Sequence, residues 1–455
     1  MGKDGLVVIG GVAAGLAAAM EARRASADLP VTVLERTGDI SYGACGLPYV
    51  VAGLIPSPER LVVHTPEYFR ERHRIEIRLN SEALEVLPAK STVRVSEGGE
   101  EREVGYGALV IATGAAALCP PLPGHKLEGV FVLRHMRDGR RMLRFIEEAR
   151  PREAVIVGAG YIGLEMAEAF TARGLRTTLV EASDKLMSAL GGRARDGLAG
   201  ELRSNGVEVL FGERAVAFEG RAGRVARVLT GSGRALSADI VSIGVGVRPE
   251  VGLARAAGLE VGEAGAIVTD ERQRTSAAGV YAAGDCCEVL QRVSGRRVWN
   301  PLGQPAVRQG WVAGANAARA DNSEARYAGV VGTNVCKVFR LEAARTGLSI
   351  DEARAAGFDA AEAEAETPSR AGYYPGAATI NTRLVTDRAG RLLGAQMVGR
   401  EGVAQRIDVY AAALHAGLKA EDIERLDLAY APPFAPTVDP IIRAAHAATK
   451  QYRGR

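Results

Sequence analysis

At 455 residues the chain has room for about three domains, each with its own hydrophobic core. Its hydrophobic content of 47% and net charge of +3 are ordinary for a globular protein, and no Lys/Arg run or basic stretch with interleaved aromatics supports nucleic-acid binding. No stretch approaches the ~20 apolar residues of a membrane span, and five cysteines without metal-ligand spacing fit a reducing cytoplasm better than a disulfide framework.

The chain begins with a nucleotide-binding pattern. The apolar run Leu6–Ile9 predicts a buried parallel strand. It is followed by the turn GGVAAG (residues 10–15), an Ala-rich helix, and a second strand, Val31–Leu34, which leads into Glu35. Such an arrangement places a pyrophosphate at the helix N-terminus and an acid near a ribose hydroxyl. The middle glycine of the motif is Val12, so this copy is only moderately specific.

The next stretch, SYGACGLPYV (residues 41–50), holds Cys45 among small residues. Pro48 suits the first turn of a helix, where its missing N–H costs nothing. A thiol at a helix N-terminus is stabilised as the thiolate, and we therefore expect the pKa of Cys45 to be lowered. The functional interpretation is a redox-active or nucleophilic thiol beside a flavin. The alternative is a small buried hydrophobe, which a free cysteine usually is.

A second, complete copy of the nucleotide-binding pattern follows. Ala154–Val157 is a predicted strand, GAGYIG (residues 158–163) is the turn, and after a helix the strand Thr177–Val180 ends in Glu181. Two turns in the same strand–turn–helix–strand–acid context indicate a duplicated nucleotide-binding unit. The carboxylate of Glu181 should accept from a ribose 2′-OH and repel a 2′-phosphate, which predicts NADH rather than NADPH.

Two further segments link these copies. After about residue 323 the predicted order of strands and helices changes. YGALVIATG (residues 106–114) is a strand that runs into a small-residue turn, and TSAAGVYAAGD (residues 275–285) is a strand that ends with Asp285, which suits hydrogen bonding to the sugar-like chain of a cofactor. The C-terminal part mixes predicted strands and helices, at Val335–Phe339, Thr379–Val385, Leu392–Val398, Glu401–Ala416 and Pro440–Ala448.

Together these segments resemble the pyridine-nucleotide–disulfide oxidoreductases over essentially the whole chain. The resemblance implies an α/β fold with two Rossmann-like domains, the NAD domain inserted in the FAD domain, and a C-terminal α+β dimerisation domain. The implied crossings lie near Thr113-Gly114 and at residues 242–249. The predicted limits are 1–115 and 247–322 for the FAD domain, 116–246 for the NAD(P)H domain, and 323–455 for the dimerisation domain.

Cys45 distinguishes branches of this family. Glutathione-reductase-like members carry two redox cysteines five positions apart and a C-terminal His–Glu pair. Here Ile40 and Val50 occupy the positions five residues before and after Cys45, and residues 430–440 contain no histidine. The chain therefore resembles the single-cysteine branch, which contains NADH peroxidases, water-forming NADH oxidases and coenzyme A disulfide reductases.

Within that branch the chain is most similar to the coenzyme A disulfide reductases. The peroxidases and oxidases carry a histidine in the first glycine turn, where this chain has Ala13. The paired tyrosines Tyr373 and Tyr374, and Tyr430 in its YAPP stretch, match the reductases. One departure is Ala44, since that group often has a polar residue before the cysteine.

The resemblance implies FAD-dependent reduction of coenzyme A disulfide, or of CoA persulfide or polysulfide, by NAD(P)H. NADH would pass hydride to FAD once Tyr161 moves off the flavin face. Reduced flavin would then cleave a mixed disulfide between Cys45 and coenzyme A, and the Cys45 thiolate would attack the next substrate. Tyr430, Tyr373 or Tyr374 would donate the proton to the departing thiolate, although ordinary packing at a subunit interface is an alternative role for these tyrosines.

The expected ligand residues follow from the matching motifs. The FAD residues are Gly10, Gly11, Ala14, Gly15, Glu35, Arg36, Ser41, Thr113, Gly114, Asp285 and Pro301. The NAD residues are Gly158, Gly160, Tyr161, Ile162, Gly163, Glu181, Gly244 and Gly246. The candidates for coenzyme A, as substrate or bound adduct, are Arg23, Arg24 and Ser41. Arg23 and Arg24 could equally be solvated cations at a helix end.

Other functions stay open at this stage. A water-forming NADH oxidase is the first alternative, and a flavoprotein electron-transfer reductase for a protein acceptor, which would not need Cys45, is the second. We expect a cytoplasmic homodimer that acts on a small-molecule disulfide or persulfide, with no nucleic-acid partner, membrane or metal. Of the other cysteines, Cys286 and Cys287 follow the Gly-Asp turn but adjacent cysteines are rarely catalytic; Cys119 and Cys336 are expected to be core or surface thiols.

Overall fold

The computed structural model describes residues 5–184, 186–187, 190–319 and 325–453. Within these residues the chain forms three five-stranded sheets and four smaller ones. No helix in this part of the chain is both long and apolar enough to cross a bilayer.

The first large sheet is parallel and carries the first glycine turn. Its central strands are aliphatic and buried on both faces, as a parallel sheet covered by helices requires. The predicted strands Leu6–Ile9 and Val31–Leu34 are confirmed with the same bounds. In spatial order the strands are Val280–Ala282, Ala108–Ile111, Leu6–Ile9, Val31–Leu34 and Ile75–Arg78.

Two helices on this sheet pack almost backbone to backbone. The helix Ala13–Ala25 follows the first glycine turn. The helix Gly303–Arg319, which comes much later in the sequence, packs against it. A Cβ atom at Gly310 would lie 2.3 Å from the carbonyl oxygen of Ala14, and one at Gly314 would lie 2.1 Å from that of Ala18. The glycines therefore permit a contact that no larger residue allows.

The second large sheet is also parallel and carries the second glycine turn. The predicted strands at residues 154–157 and 177–180 are confirmed, each one residue longer at its start, and the second also includes Glu181. The helix after the turn is Tyr161–Ala172. In spatial order the strands are Glu208–Phe211, Arg176–Glu181, Glu153–Val157, Ile240–Ile243 and Val130–Phe131.

The chain passes between the two parallel sheets on a short antiparallel ribbon. Ala115–Ala117 pairs with Val247–Pro249. Three residues separate the first from the strand Ala108–Ile111 of the first sheet, and three separate the second from the strand Ile240–Ile243 of the second sheet. Both implied crossings lie at this ribbon. The domain limits themselves remain predictions, and the limit at 322/323 and the chain ends 1 and 455 lie outside the described residues.

The third large sheet is antiparallel and forms the C-terminal unit. The predicted strands near residues 335, 379 and 392 are confirmed. The helices predicted at Glu401–Ala416 and Pro440–Ala448 are also confirmed and span Val403–Ala416 and Pro440–Arg453. In spatial order the strands are Asn334–Val338, Leu341–Gly347, Leu392–Gly399, Thr379–Asp387 and Ala360–Pro368.

The remaining elements complete the fold, and apart from the helix after Cys45 they were not predicted. The strands among them have only three to seven residues and give little periodic signal. The antiparallel strands are Ser81–Leu87, Thr92–Glu97 and Glu100–Gly105; Ala215–Arg221, Arg224–Thr230 and Ala235–Ser237; and Glu288–Gln291 with Arg296–Trp299. The remaining α-helices are Leu47–Ala52, Pro66–His73, Met136–Ala149, Gly192–Ser204, Gly252–Ala256, Ile350–Ala355 and Ala420–Glu424. Short 3₁₀ helices span Ala44–Gly46, Pro58–Leu61 and Pro88–Lys90.

Candidate functional site

The two glycine turns have nearly the same geometry. The first glycine of each adopts a positive φ, +109° at Gly10 and +100° at Gly158. A Cβ atom at the last glycine of either turn, Gly15 or Gly163, would lie 1.9 Å from the carbonyl oxygen of that first residue. Only glycine fits there, so each strand enters its helix through a turn that leaves N–H groups free for a phosphate.

In each turn a backbone N–H donates to the carboxylate of an acidic residue at the end of the second strand. Glu35 Oε2 accepts from the Gly11 N–H at 2.8 Å, and Glu181 Oε2 accepts from the Ala159 N–H at 2.7 Å. The other carboxylate oxygens accept from backbone N–H groups two residues on, those of Thr37 and Ser183. The two predicted ribose acceptors are therefore also structural anchors of the turns.

A cavity of about 290 Å³ opens in front of the first glycine turn. Its wall combines backbone of this turn, the acid that closes it, and the turn after the strand Ala108–Ile111. The predicted FAD residues that line it are Gly10, Gly11, Glu35, Arg36, Thr113 and Gly114.

The other predicted FAD residues lie behind or beside this wall. Ala14 and Gly15 lie in the packed first turn of the helix, and Ser41 is tied to the turn because its N–H donates to the Gly11 carbonyl at 3.0 Å. Asp285 accepts from Arg134, which lines the cavity, at 2.9 Å. Pro301 lies two residues before the helix Gly303–Arg319.

Three polar side chains of the cavity were missed by the sequence analysis. Arg134 donates both to Asp285 and to the Ala115 carbonyl, at 2.9 and 3.0 Å. The Tyr42 hydroxyl lies 3.3 Å from His135 Nδ1. No motif marks Arg134 or His135, because they follow a two-residue strand of the other parallel sheet and reach the cavity only through tertiary packing.

Burial determines the protonation states of His135 and Tyr42. It lowers the pKa of His135 to about 4, against a smaller opposing effect of Asp138, and it raises the pKa of Tyr42 to about 12, with a contribution from the charge of Glu35. Both side chains are therefore neutral at physiological pH.

Cys45 lies beside this cavity, one residue beyond Ala44, which lines it. It is an exposed free thiol in a single 3₁₀ turn, and the helix Leu47–Ala52 follows with Pro48 in its first turn as predicted. Ser41, at the start of the loop, adopts a left-handed backbone conformation with φ +50°.

The predicted pKa direction for Cys45 is wrong. Partial burial raises the pKa of the thiol, the charge of Glu165 raises it further, and the charge of Arg134 only partly opposes them. Asp285, the ion-pair partner of Arg134, also raises the pKa of Cys45.

The predicted NAD residues gather around the second glycine turn. Gly160 is the N-cap of the helix that begins at Tyr161, and Ile162 and Gly163 lie in its first turn. A Cβ atom at Gly158 would lie 2.6 Å from the Gly244 carbonyl oxygen, and Gly246 adopts φ +113°. These positions are brought together, while their contact with a nucleotide stays a prediction.

Tyr161 links this turn to the C-terminal sheet. Its hydroxyl donates to the side-chain oxygen of Asn334, and burial raises its pKa. Moving Tyr161 aside therefore means breaking this hydrogen bond. Asn334 was not predicted, because only the fold brings this strand to the helix.

The three predicted proton-donating tyrosines are exposed on the C-terminal unit. Tyr373, Tyr374 and Tyr430 are 78%, 37% and 49% exposed. Hydrogen bonds from Thr437 and then Tyr373 lower the pKa of Tyr430, while the bond to Tyr430 raises the pKa of Tyr373.

Arg23 and Arg24, two of the predicted coenzyme A residues, make different contacts. Arg23 donates to the carbonyls of His73 and Leu29, whereas Arg24 is exposed and pairs with Glu21 at 2.7 Å. Both lie in the last turn of the helix Ala13–Ala25, ~15–17 Å along the axis from its first residue at 1.5 Å per residue. Their role in binding coenzyme A stays a prediction.

The remaining cysteines form no disulfide. Cys286 and Cys287 are buried with their sulfurs 3.7 Å apart, and the Cys286 thiol also contacts the carbonyls of Ala283 and Ile111. Cys336 is buried and Cys119 is exposed. Among the described residues no cluster of three or more His, Cys, Asp or Glu side chains could hold a metal ion.

Two dinucleotides fit the arrangement of these residues. Each glycine turn presents backbone N–H groups at the start of a helix, and an acid lies at the end of the adjoining strand. The cavity before the first turn continues towards Cys45, which suits a cofactor that exchanges electrons with a thiol.

Comparison with known proteins identifies the same organisation. Residues 4–310 match the family "Pyridine nucleotide-disulphide oxidoreductase", and residues 333–440 match its dimerisation domain. The chain is 40% identical over 441 residues to the NAD(P)H sulfur oxidoreductase (CoA-dependent) of Pyrococcus abyssi, covering 97% of each chain. It is 38% identical over 441 residues to the NAD(P)H coenzyme A polysulfide/persulfide reductase of Pyrococcus horikoshii, with the same coverage.

A solved structure extends this similarity to the fold. The NAD-dependent persulfide reductase from A. fulgidus superposes with a TM-score of 0.95 at 38% identity, covering 99% of this chain and 84% of that one.

Proposed function

The chain belongs to the pyridine nucleotide-disulphide oxidoreductase family, and from this premise we propose that it is an FAD-dependent NAD(P)H:disulfide oxidoreductase of the coenzyme A disulfide reductase type. Its substrate is coenzyme A disulfide, or a CoA persulfide or polysulfide. The observation that carries the proposal is an exposed, unpaired Cys45 directly beside the cavity at the first glycine turn.

The residues have separate tasks in this proposal. The turn at Gly10 with Glu35 holds FAD, and the turn at Gly158 with Glu181 holds the nicotinamide nucleotide. Bound FAD supplies two-electron transfer between the nucleotide and a disulfide. The Cys45 thiolate attacks coenzyme A disulfide and forms the Cys45–CoA mixed disulfide as one CoA thiolate leaves. The two electrons that bound FAD would supply break this mixed disulfide into the Cys45 thiolate and a second CoA thiolate.

The exposed tyrosines supply the proton for the leaving thiolate. Tyr430, Tyr373 and Tyr374 are the candidate donors. Tyr373, Tyr374 and Tyr430 lie on the surface of the unit that matches the dimerisation domain, so a second copy of the chain could bring them to Cys45. We therefore include a homodimer in the proposal. The five free cysteines and the nucleotide dependence favour the cytoplasm as its location.

Mass spectrometry of the protein purified without reductant tests the proposal. We expect a mass loss of one coenzyme A after dithiothreitol, mapped to the peptide of Cys45. We also expect Cys45→Ser to abolish NADH consumption that depends on coenzyme A disulfide.

Cys119→Ser is the matched control, because Cys119 is the other exposed cysteine and lies outside the cavity wall. A Cys45→Ser protein with full disulfide reduction would contradict the mechanism. Free or over-oxidised Cys45, with oxygen-dependent NADH consumption, would favour a water-forming oxidase.

A further inference from the structure

Tyr161 lies between the second glycine turn and the first cavity. It is the first residue of the helix Tyr161–Ala172, which packs on Leu47–Ala52, the helix that follows the predicted redox cysteine. Tyr161 also packs against the same hydrophobic cluster as Val12 and Ala44, two residues of the cavity wall. The path from a nucleotide at the second turn to a cofactor in the first cavity therefore leads past this tyrosine.

The equivalent position of the first turn carries a much smaller residue. Aligning the first and last glycines of the two turns places Tyr161 opposite Ala13. Ala13 is exposed, whereas Tyr161 is partly buried. The second unit thus has a large side chain at the start of its helix, where the first unit has only a methyl group.

Asn334 holds the Tyr161 hydroxyl from the C-terminal sheet. The hydroxyl donates to Asn334 Oδ1, its only hydrogen-bond partner among the described residues. The nitrogen of the same amide is also fixed, because Asn334 Nδ2 donates to the Gly332 carbonyl at 3.3 Å. Asn334 begins the strand Asn334–Val338 and pairs there with Arg345. The acceptor is therefore held in place by its own strand and loop.

A second contact joins this strand to the helix. Glu168, two turns after Tyr161, accepts from Lys337 Nζ at 3.1 Å and from the Phe339 N–H at 2.8 Å. Helix and strand are thus held together at two points, the tyrosine hydroxyl and this carboxylate. A movement of the Tyr161 side chain breaks the first contact and leaves the second in place, so it acts on a single hydrogen bond.

We infer that Asn334 is a positioning residue for Tyr161: it holds the phenol in a closed position between the second glycine turn and the first cavity, and the nicotinamide half of the nucleotide binds only when this hydrogen bond is broken. Because the bond must break, it lowers the apparent affinity for the nucleotide, as for any ligand that binds the less populated of two states. The inference rests on the proposed function, in which the nicotinamide nucleotide binds at the second turn.

The test measures the dissociation constants of two nucleotides by calorimetry with the oxidised, FAD-loaded protein. One is tetrahydro-NAD, a reduced analogue that cannot donate hydride, and the other is ADP-ribose, which lacks nicotinamide. In Asn334→Ala the dissociation constant of tetrahydro-NAD should fall ~2–12-fold, the range expected for one neutral hydrogen bond. That of ADP-ribose should stay unchanged. A merely structural role of Asn334 would instead weaken the binding of both nucleotides.

Three further variants isolate the hydrogen bond. Tyr161→Phe keeps the ring and removes the hydroxyl, so it should tighten tetrahydro-NAD binding as Asn334→Ala does. The double variant should bind no more tightly than either single one, because both substitutions remove the same bond. Asn381→Ala is the matched control: its amide donates to Glu364 at 2.6 Å on another strand of the same sheet, and the change should leave both constants unaltered.

Three results would overturn the inference: an unchanged or raised constant for tetrahydro-NAD in Asn334→Ala, a parallel fall for ADP-ribose, or additive effects in the double variant. None of them affects the requirement for Cys45 in disulfide reduction, which Cys45→Ser tests separately. A wild-type protein that binds neither nucleotide would refute the second nucleotide site itself, on which both the proposed function and this inference depend.

Discussion

Substitution of Glu181 is the most specific way to change the predicted nucleotide preference. The two carboxylate oxygens of Glu181 accept from the N–H groups of Ala159 and Ser183 at 2.7 and 2.8 Å. Glu181→Gln keeps one acceptor of the same reach but removes the charge. The variant should therefore leave the turn folded while it weakens the contact to the ribose 2′-OH and ends the repulsion of a 2′-phosphate.

The expected size follows from the value of a charged hydrogen bond. A hydrogen bond to a charged group contributes ~1.5–3 kcal/mol and a neutral one ~0.5–1.5 kcal/mol, so the variant should lose ~1–1.5 kcal/mol. At ~1.4 kcal/mol per factor of ten, kcat/KM for NADH should fall by roughly 5- to 12-fold. For NADPH the same change should raise kcat/KM, because the carboxylate no longer opposes the extra phosphate.

Steady-state kinetics with both nucleotides at matched ionic strength measures this preference. Glu35→Gln is the matched control: it makes the same change at the first turn, and should alter FAD retention but not the NADH/NADPH ratio. A wild-type protein with higher kcat/KM for NADPH, or an unchanged ratio in Glu181→Gln, would refute the assignment of Glu181.

Three other positions give independent tests. Gly163→Ala would place a Cβ atom 1.9 Å from the Gly158 carbonyl oxygen, and at ~1–3 kcal/mol of overpacking we expect kcat/KM for NADH to fall ~5–100-fold while FAD stays bound, as its absorbance would show. Gly314→Ala, 2.1 Å from the Ala18 carbonyl oxygen, should lower the free energy of unfolding in urea by at least ~1–3 kcal/mol, and an equally stable variant would contradict the helix contact. Because the folded-state pKa of His135 is lowered to about 4, the unfolded chain binds more protons below pH 6.5, and stability should fall as the pH drops from 6.5 to 4. His135→Asn should lose less stability over that range, and equal losses in the two proteins would show that His135 does not titrate this way.

Much of the fold could be predicted because its signals are local. The strand–turn–helix–strand pattern at Leu6–Glu35 and its repeat at Ala154–Glu181 combine aliphatic runs with glycines that only a tight turn requires. The cysteine loop was also visible, since Cys45 and Pro48 lie within four residues. Such features depend on neighbours in the sequence.

The electrostatics of the site could not be predicted in this way. The pKa of Cys45 depends on Glu165 from the second nucleotide-binding unit, and Arg134 and His135 enter the first cavity from beyond the crossing ribbon. Asn334 reaches Tyr161 from the C-terminal sheet. Each of these contacts joins elements far apart in the chain, so a reading of local motifs could not supply the sign of the pKa shift.

The packing of the two glycine-bearing helices has a consequence for biosynthesis. Ala13–Ala25 leaves the ribosome early, but its main neighbour, Gly303–Arg319, follows about 280 residues later, roughly 15–55 s at ~5–20 residues per second. The strands of the second parallel sheet all lie between residues 130 and 243, so that unit can close first. The nascent chain therefore keeps the Ala-rich apolar surface of its first helix uncovered throughout this interval.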